Sequence, residues 1–264
     1  MTPASRGNCS ADNGSVGGAI TKHLSLLHGV IRSGRWSAFE NIALSNPSVF
    51  RMICSAMPTC DEFRGTSLLH VCLRYSAPLK IVAKIIEMYP DRTAALRARD
   101  GMGRTPLHVA AACDADAMVI KLLGSADPAT CNILDDDGRT PLHLACDISG
   151  DIIHDENDKP PPPKQREAPS YDVVRALLSE SLEPTLVEDE DGMSPLEYAI
   201  ISGASIEVVN LLQKATMHVL RKGGGEDHSQ NNKRKRLPAS VITPDNTHFN
   251  LTSVQRRRAL KVSF

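Results

Sequence analysis

The chain has 264 residues, of which 41% are hydrophobic, 4% are aromatic and 23% are charged. This length and apolar content are enough to bury a core, which excludes a chain that is disordered throughout, and the scarcity of aromatic residues leaves Leu, Ile, Val and Ala to build that core. The formal net charge is −1, yet the residues from 216 onward contain ten Lys or Arg and three Asp or Glu, so a basic tail follows an acidic body.

The first 20 residues show no periodic pattern, and we expect them to be disordered. No segment has the apolar run of a signal peptide or the roughly 18 apolar residues of a membrane span. The seven cysteines are odd in number and include no CxxC pair, so neither a disulfide framework nor a zinc ribbon is indicated. We expect an intracellular protein of the nucleus or cytoplasm; Asp12 and the scarcity of Arg argue weakly against an organelle transit peptide.

Residues 21–64 are predicted to form a pair of helices, because apolar residues recur there at helical spacing in two sets. The sets are Leu24, Leu27, Val30 and Ile31, and then Trp36, Phe39 and Ile42 before Asn46 and Pro47.

From residue 65 onward one short motif recurs. It reads GTSLLHVC from Gly65, GRTPLHVA from Gly103, GRTPLHLA from Gly138 and GMSPLEYA from Gly192. In the second copy Thr105 is a good N-cap, and Pro106 fits the first turn of a helix, where an amide proton is spare. A second apolar set at helical spacing follows each copy, so each unit is predicted to be a pair of antiparallel helices. A pair this small does not bury its own apolar faces, and the units must therefore stack.

The spacing of the copies indicates an insertion in the third unit. His108 follows His70 by 38 residues and His143 follows His108 by 35, whereas Glu197 follows His143 by 54. The extra residues are 151–170, which contain the four prolines Pro160–Pro163. These prolines favour an extended polyproline II segment of the kind that SH3 and WW domains bind. We favour the alternative, a spacer that costs little because it lies outside the core.

The units resemble the ankyrin repeat family, whose TPLHxA signature and period of about 33 residues match the second and third copies closely. The resemblance covers about residues 65–215. It implies an all-α solenoid of about four stacked helix-turn-helix units with β-hairpin loops. Residues 21–64 are then an N-terminal cap and residues 216–264 a basic disordered tail. The family also places an Asp three residues before the signature glycine, as at Asp100, Asp135 and Asp189.

The resemblance implies a structural role for the repeated histidines. His108 and His143 are expected to form hydrogen bonds within their own repeat and to the neighbouring one, and they are too regularly dispersed to share one metal ion. The run Asp135–Asp137 lacks the acid pattern of a calcium loop, and Gly223–Gly225 lack the GK[ST] of a phosphate-binding loop. The acidic stretch His154–Asp158 is interpreted as a solvated loop rather than a cation site. We predict no catalytic, metal or cofactor site.

Ankyrin proteins bind other proteins through a concave surface formed by the loop tips and the first helices. The resemblance therefore implies a non-enzymatic adaptor or scaffold, which we expect to be a monomer. The predicted contact residues are Met102, Arg104, Asp136, Asp137, Arg139, Glu190, Asp191 and Met193. Two of the three tips are acidic, which favours a partner with a basic patch.

The basic tail predicts an address and an alternative function. Arg221 and Lys222 are followed, after ten residues, by Lys233, Arg234, Lys235 and Arg236. This pattern is similar to a bipartite nuclear localisation signal, which an import receptor binds. The alternative is that the tail, including Arg256–Arg258, binds nucleic-acid phosphates. It ranks second, because the tail lacks interleaved aromatic residues and a recognition fold.

Overall fold

The computed structural model describes residues 26–56, 66–149 and 167–223. Within these residues there are twelve α-helices and two 3-10 helices, and no β-strand. None of the described helices is long and apolar enough to cross a membrane. The described residues all belong to one compact unit, and the second unit, Glu226–Phe264, lies outside them. The first 20 residues, Pro160–Pro163 and residues 224–264 of the predicted disordered tail also lie outside them. The prediction is wrong for residues 216–223, which continue the last helix of the final repeat, because the apolar spacing of that helix extends to Leu220.

Three helices precede the first repeat, where the sequence predicts two. They are α1 over residues 26–32, α2 over Trp36–Ser45 and α3 over Pro47–Ala56. Pro47 starts α3 instead of ending the helical region, because the first turn of a helix does not need the amide proton that proline lacks. The buried rings of Phe39 and Phe50 pack edge to face with their centroids 5.6 Å apart, and both belong to the core that the repeats share.

Four helix pairs form the repeats, as the sequence predicts. They are α4 (Leu68–Arg74) with α5 (Leu79–Met88), α7 (Pro106–Ala112) with α8 (Ala117–Ala126), α9 (Pro141–Cys146) with α10 (Tyr171–Glu180), and α11 (Pro195–Ile201) with α12 (Ile206–Gly223). First helices pack on first helices and second helices on second helices, so that α7 contacts α4 and α9 while α8 contacts α5 and α10. This arrangement confirms the all-α repeat fold.

Small residues allow the first helices to approach one another closely. Ala110, Ala145 and Ala199 occupy one position in successive repeats and are fully buried. Cys72 takes the same position in the first repeat, where burial raises the pKa of its thiol well above the ordinary value. Cys72 is therefore a small core residue and not a reactive thiol.

A third row of short turns follows the second helices, and the sequence pattern does not predict it. The row consists of α6 over Arg92–Arg97 and of 3-10 helices over Pro128–Asn132 and Glu183–Leu186. The two 3-10 helices contact each other. Arg97 ties the first two members together, because its guanidinium forms two hydrogen bonds with the carboxylate of Asp127, at 2.5 and 3.0 Å. This row leads the chain from each second helix into the loop before the next repeat.

Candidate protein-binding site

Three finger loops project from the repeats at residues 100–104, 135–139 and 189–193, and an aspartate organises each of them. In the second loop, Oδ1 of Asp135 accepts hydrogen bonds from the backbone amides of Asp137 (3.1 Å) and Arg139 (2.8 Å). Asp100 and Asp189 form the same two bonds, to amides two and four positions later, at 2.8 to 3.0 Å. Each loop is closed by a further bond from the aspartate amide to the carbonyl of the fifth residue. The tips are thus held rigidly.

Glycine is required at the fourth position of the loops. Gly103, Gly138 and Gly192 have φ angles of 71°, 75° and 74°, in the left-handed region where a Cβ atom is strained. At Gly103 there is a second reason, since a Cβ atom there would clash with the carboxylate of Asp136 and lie 2.9 Å from its backbone nitrogen. The first and second loops therefore approach each other closely at this glycine.

Neighbouring finger loops are linked by single backbone hydrogen bonds. The amide of Asp136 donates to the carbonyl of Met102 over 3.2 Å, and the amide of Glu190 donates to the carbonyl of Asp137 over 3.1 Å. The resemblance implies β-hairpins here, but one bond per pair of loops is too few for a strand, and the described residues contain none. The loops are tight turns connected edge to edge.

A column of histidines fastens each first helix to the next finger loop. The Nδ1 atoms of His70, His108 and His143 accept the backbone amide of the N-cap residue three positions earlier, at 3.0 to 3.2 Å. Because Nδ1 accepts, the proton is on Nε2, which donates to the carbonyl of Arg104, Arg139 or Met193 in the next loop at 2.9 to 3.1 Å. The expected bonds within and between repeats are confirmed.

The buried histidines are uncharged at neutral pH. Desolvation is the main cause that lowers the pKa of His70 to about 4, of His108 to about 3 and of His143 to about 4. At His70 and His143 the carboxylates of Asp100 and Asp189 oppose this shift. A protonated ring would lose the Nδ1 acceptor, so the column depends on the neutral form.

Glu197 replaces the histidine in the last repeat. Its Oε2 atom accepts hydrogen bonds from the amide and the hydroxyl of Ser194, at 2.7 and 2.8 Å. An ionised carboxylate accepts but does not donate, so it reproduces the bonds within the repeat and not the bond to a following loop.

The eight predicted contact residues divide into exposed, partly exposed and buried ones. The exposed set comprises Met102, Asp136, Asp137, Glu190 and Asp191. The prediction for Arg104 needs correction, because its side chain is only 3% exposed, with Nε 3.8 Å from Oδ2 of Asp100. Burial lowers the pKa of the Arg104 guanidinium, and the nearby carboxylates of Asp100 and Asp135 offset only part of this lowering. Arg104 supports the loop and does not face a partner.

Two further predicted residues, Arg139 and Met193, are only partly exposed. The Arg139 guanidinium lies 3.3 Å from Oδ2 of Asp135 and 2.5 Å from Oδ2 of Asp137, while Met193 packs against the core. Arg139 thus offsets part of the negative charge of the second loop. The carboxylates of Asp136, Glu190 and Asp191 leave the exposed edge of the second and third loops acidic.

Tyr198 is a supporting residue that the sequence interpretation misses. Its hydroxyl donates to Oδ2 of Asp189 over 2.7 Å, and its ring meets that of His143 edge to face with centroids 5.9 Å apart. The other repeats have Val71, Val109 and Leu144 at this position. A tyrosine in place of an aliphatic residue is the signal that could have identified this role, because a buried tyrosine hydroxyl needs a hydrogen-bond acceptor nearby. Tyr198 braces the third finger loop.

The remaining sequence-predicted residues lie far along the chain from the loops. Arg221 and Lys222 are exposed in the last turn of α12, whereas Lys233–Arg236 lie outside the described residues. Among the residues that the structure describes, no group of three or more His, Cys, Asp or Glu side chains is placed to hold a metal ion.

Comparison with known proteins identifies the repeats. Residues 91–145 match a family model described as "Ankyrin repeats (many copies)", and residues 137–185 match one described as "Ankyrin repeat". The two matches include the second and third copies of the motif, which carry the complete TPLH signature. No curated protein matches the chain.

Proposed function

Because residues 91–185 of this chain belong to the ankyrin repeat family, whose members generally mediate protein–protein interaction and are typically non-enzymatic, we propose that the protein is an adaptor that binds its partner at the finger loops. The observation that carries the proposal is the acidic edge of the second and third loops. Its carboxylates stand on turns held by the aspartate bonds, so little conformational entropy is lost when a partner binds.

The chemistry of the loops points to a partner with a basic patch. Asp136, Glu190 and Asp191 supply the negative charge, and the 41% exposed side chain of Met102 supplies apolar contact area beside it. Acidic groups at a rim favour fast association with a basic surface, while apolar contact slows dissociation. The inter-loop bond from Asp136 to Met102 places these two kinds of contact next to each other.

The experiment is affinity capture with the full chain and a charge-reversed variant, Asp136→Lys, Glu190→Lys and Asp191→Lys, which leaves the ion pair between Arg139 and Asp137 in place. The matched control reverses three exposed acids away from the loops, Glu87→Lys, Glu167→Lys and Asp172→Lys. We expect the captured protein to be lost with the loop variant and retained with the control, with both variants keeping the helical signal. Equal capture by the loop variant and the native chain at low salt would place the partner elsewhere.

We further propose that the adaptor acts in the nucleus. The support is the pair of basic clusters, of which Arg221 and Lys222 are exposed at the end of α12. A partner with a basic patch is common among proteins that contact nucleic acids, which agrees with the acidic loops.

A further inference from the structure

The outward face of the last repeat is apolar. Ile201, Ile206 and Met217 are 40%, 65% and 41% exposed, and they belong to α11 and α12, the last elements that the structure describes. A repeat that ends a solenoid usually has a polar outer face, because that face meets water. We call these residues, with the outward stripe of α12, the C-terminal face.

The position of Ile201 shows that this face is a stacking surface. Ile201 is the seventh residue of α11, as Ala112 is the seventh residue of α7. Ala112 is buried against Leu144 of the following repeat. Ile201 therefore occupies the position at which an internal repeat packs against the following repeat, and its side chain is larger than that of Ala112 at the equivalent position.

Helix α12 supplies a long stripe of its own. Its members recur at spacings of three and four residues, and they are Ile206, Val209, Gln213, Met217 and Leu220. Val209 lies at the edge of the stripe and also packs against the core. The buried residues Val208, Leu212 and Ala215 lie on another side of the helix, facing the preceding repeat. With 18 residues, α12 is about 27 Å long, whereas α8 and α10 have ten residues each.

The charges along α12 indicate what covers the stripe. Glu207 lies in the first turn, while Lys214 and Arg221 follow at intervals of seven residues, which puts all three on one side of the helix. In an antiparallel pair of α12 helices, Glu207 of each copy lies next to Arg221 of the other. The two helix dipoles then point in opposite directions, which is favourable. The chain's own residues 224–264 suit this face less well, because they contain eight Lys or Arg against three Asp or Glu and would lie beside like charge.

We propose that the C-terminal face binds the same face of a second copy of this chain, with the two α12 helices antiparallel. The contact is isologous, so each residue pair occurs twice and the assembly closes as a dimer. Two helices per copy give an interface at the small end of specific complexes, and we expect the dimer to be weak and to form at about micromolar concentration or above. This dimer replaces the monomer that the sequence leads us to expect, and it leaves the finger loops open.

Sedimentation velocity of the full chain, from micromolar to near-millimolar concentration, tests the proposal. We expect a monomer that becomes a dimer as concentration rises, and Ile206→Ser with Met217→Ser should raise the dissociation constant at least tenfold. The matched control is Leu44→Ser with Met118→Ser, which removes side chains that are 53% and 55% exposed on α2 and α8. The control should dimerise like the native chain, and circular dichroism checks that both variants fold.

A charge exchange distinguishes this dimer from other forms of association. Glu207→Arg or Arg221→Glu alone should weaken the dimer about twofold to fivefold, as expected for one exposed ion pair that occurs twice. The two changes together should restore it. A monomer at every concentration, as when residues 224–264 cover the face, overturns the proposal. So does dimerisation that the Ile206/Met217 variant leaves unchanged, or a charge exchange that fails to restore it.

Discussion

The ring of His108 donates a hydrogen bond from Nε2 to the backbone carbonyl of Arg139 in the next repeat, over 3.1 Å. Nδ1 of the same ring accepts a hydrogen bond from the backbone amide of Thr105. One neutral side chain thus satisfies the start of its own helix and the end of the neighbouring loop. His70 and His143 repeat the arrangement, so the stacking of the repeats depends on three histidines that must remain uncharged.

The first prediction is that the fold loses stability in mild acid. The pKa values of these histidines in the folded chain, about 3 to 4, are below the value of about 6.5 in an unfolded chain. Between these limits the unfolded state binds more protons, so stability is complete above pH 6.5 and falls as the pH drops toward 4. Each histidine contributes up to about 1.4 kcal/mol per pH unit.

Urea unfolding at a series of pH values measures this loss, and His108→Gln supplies the comparison. Glutamine accepts and donates hydrogen bonds but does not titrate, so the variant should lose about a third of the pH dependence. Equal free energies of unfolding at pH 7 and pH 5 would contradict the proposed protonation states.

The second prediction compares two glycines of the finger loops. Gly103 and Gly192 have nearly equal φ angles, 71° and 74°, but a Cβ atom meets Asp136 only at Gly103 and meets nothing within 4 Å at Gly192. Gly192→Ala should cost about 1 to 2 kcal/mol, from backbone strain alone. Gly103→Ala should cost about 1 to 3 kcal/mol more, because the first and second loops must separate.

Chemical denaturation of the two variants gives this difference directly. Equal losses of stability would mean that the two loops move apart without cost. The contact between the loops would then add nothing to their rigidity, and a partner would have to order the loops at a cost in conformational entropy.

The repeat pattern and its helix starts can be predicted from the sequence because they depend on local rules. Thr105 and Pro106 mark a helix start wherever they occur, and the apolar spacing shows which side of the helix is buried. The burial of Arg104 cannot be predicted in this way. An arginine in a polar turn is normally exposed, and only the packing of adjacent loops shows that this one is enclosed. The third row of turns is missed for a related reason, since its members have only four to six residues, too few for an apolar pattern at helical spacing to repeat.

The third prediction tests the stacking of the repeats. Leu142 in α9 and Leu177 in α10 are buried at the centre of the third repeat, so Leu142→Ala or Leu177→Ala should cost about 2 to 5 kcal/mol by opening a cavity. Leu44→Ala is the control, because Leu44 is exposed on α2 and its loss opens no cavity. Thermal unfolding should show a clear drop in melting temperature for the first two variants only. Melting within a degree of the native chain would show that these leucines are not at a packed interface.

The last prediction concerns nuclear import. Two basic clusters can occupy two acidic grooves of an import receptor if the chain between them spans the distance, and the ten residues between Lys222 and Lys233 reach at most about 35 Å when extended. A chain of 28.6 kDa diffuses through nuclear pores unaided, so the full chain must be fused to a bulky reporter. Alanine at positions 233 to 236 should abolish accumulation in the nucleus, and alanine at Arg221 and Lys222 should reduce it. Alanine at Arg256–Arg258 removes a basic cluster outside the pattern and should leave accumulation unchanged. A native fusion that stays in the cytoplasm, or an equal loss from all three variants, would show that general positive charge and not the two-cluster pattern governs the behaviour of the tail.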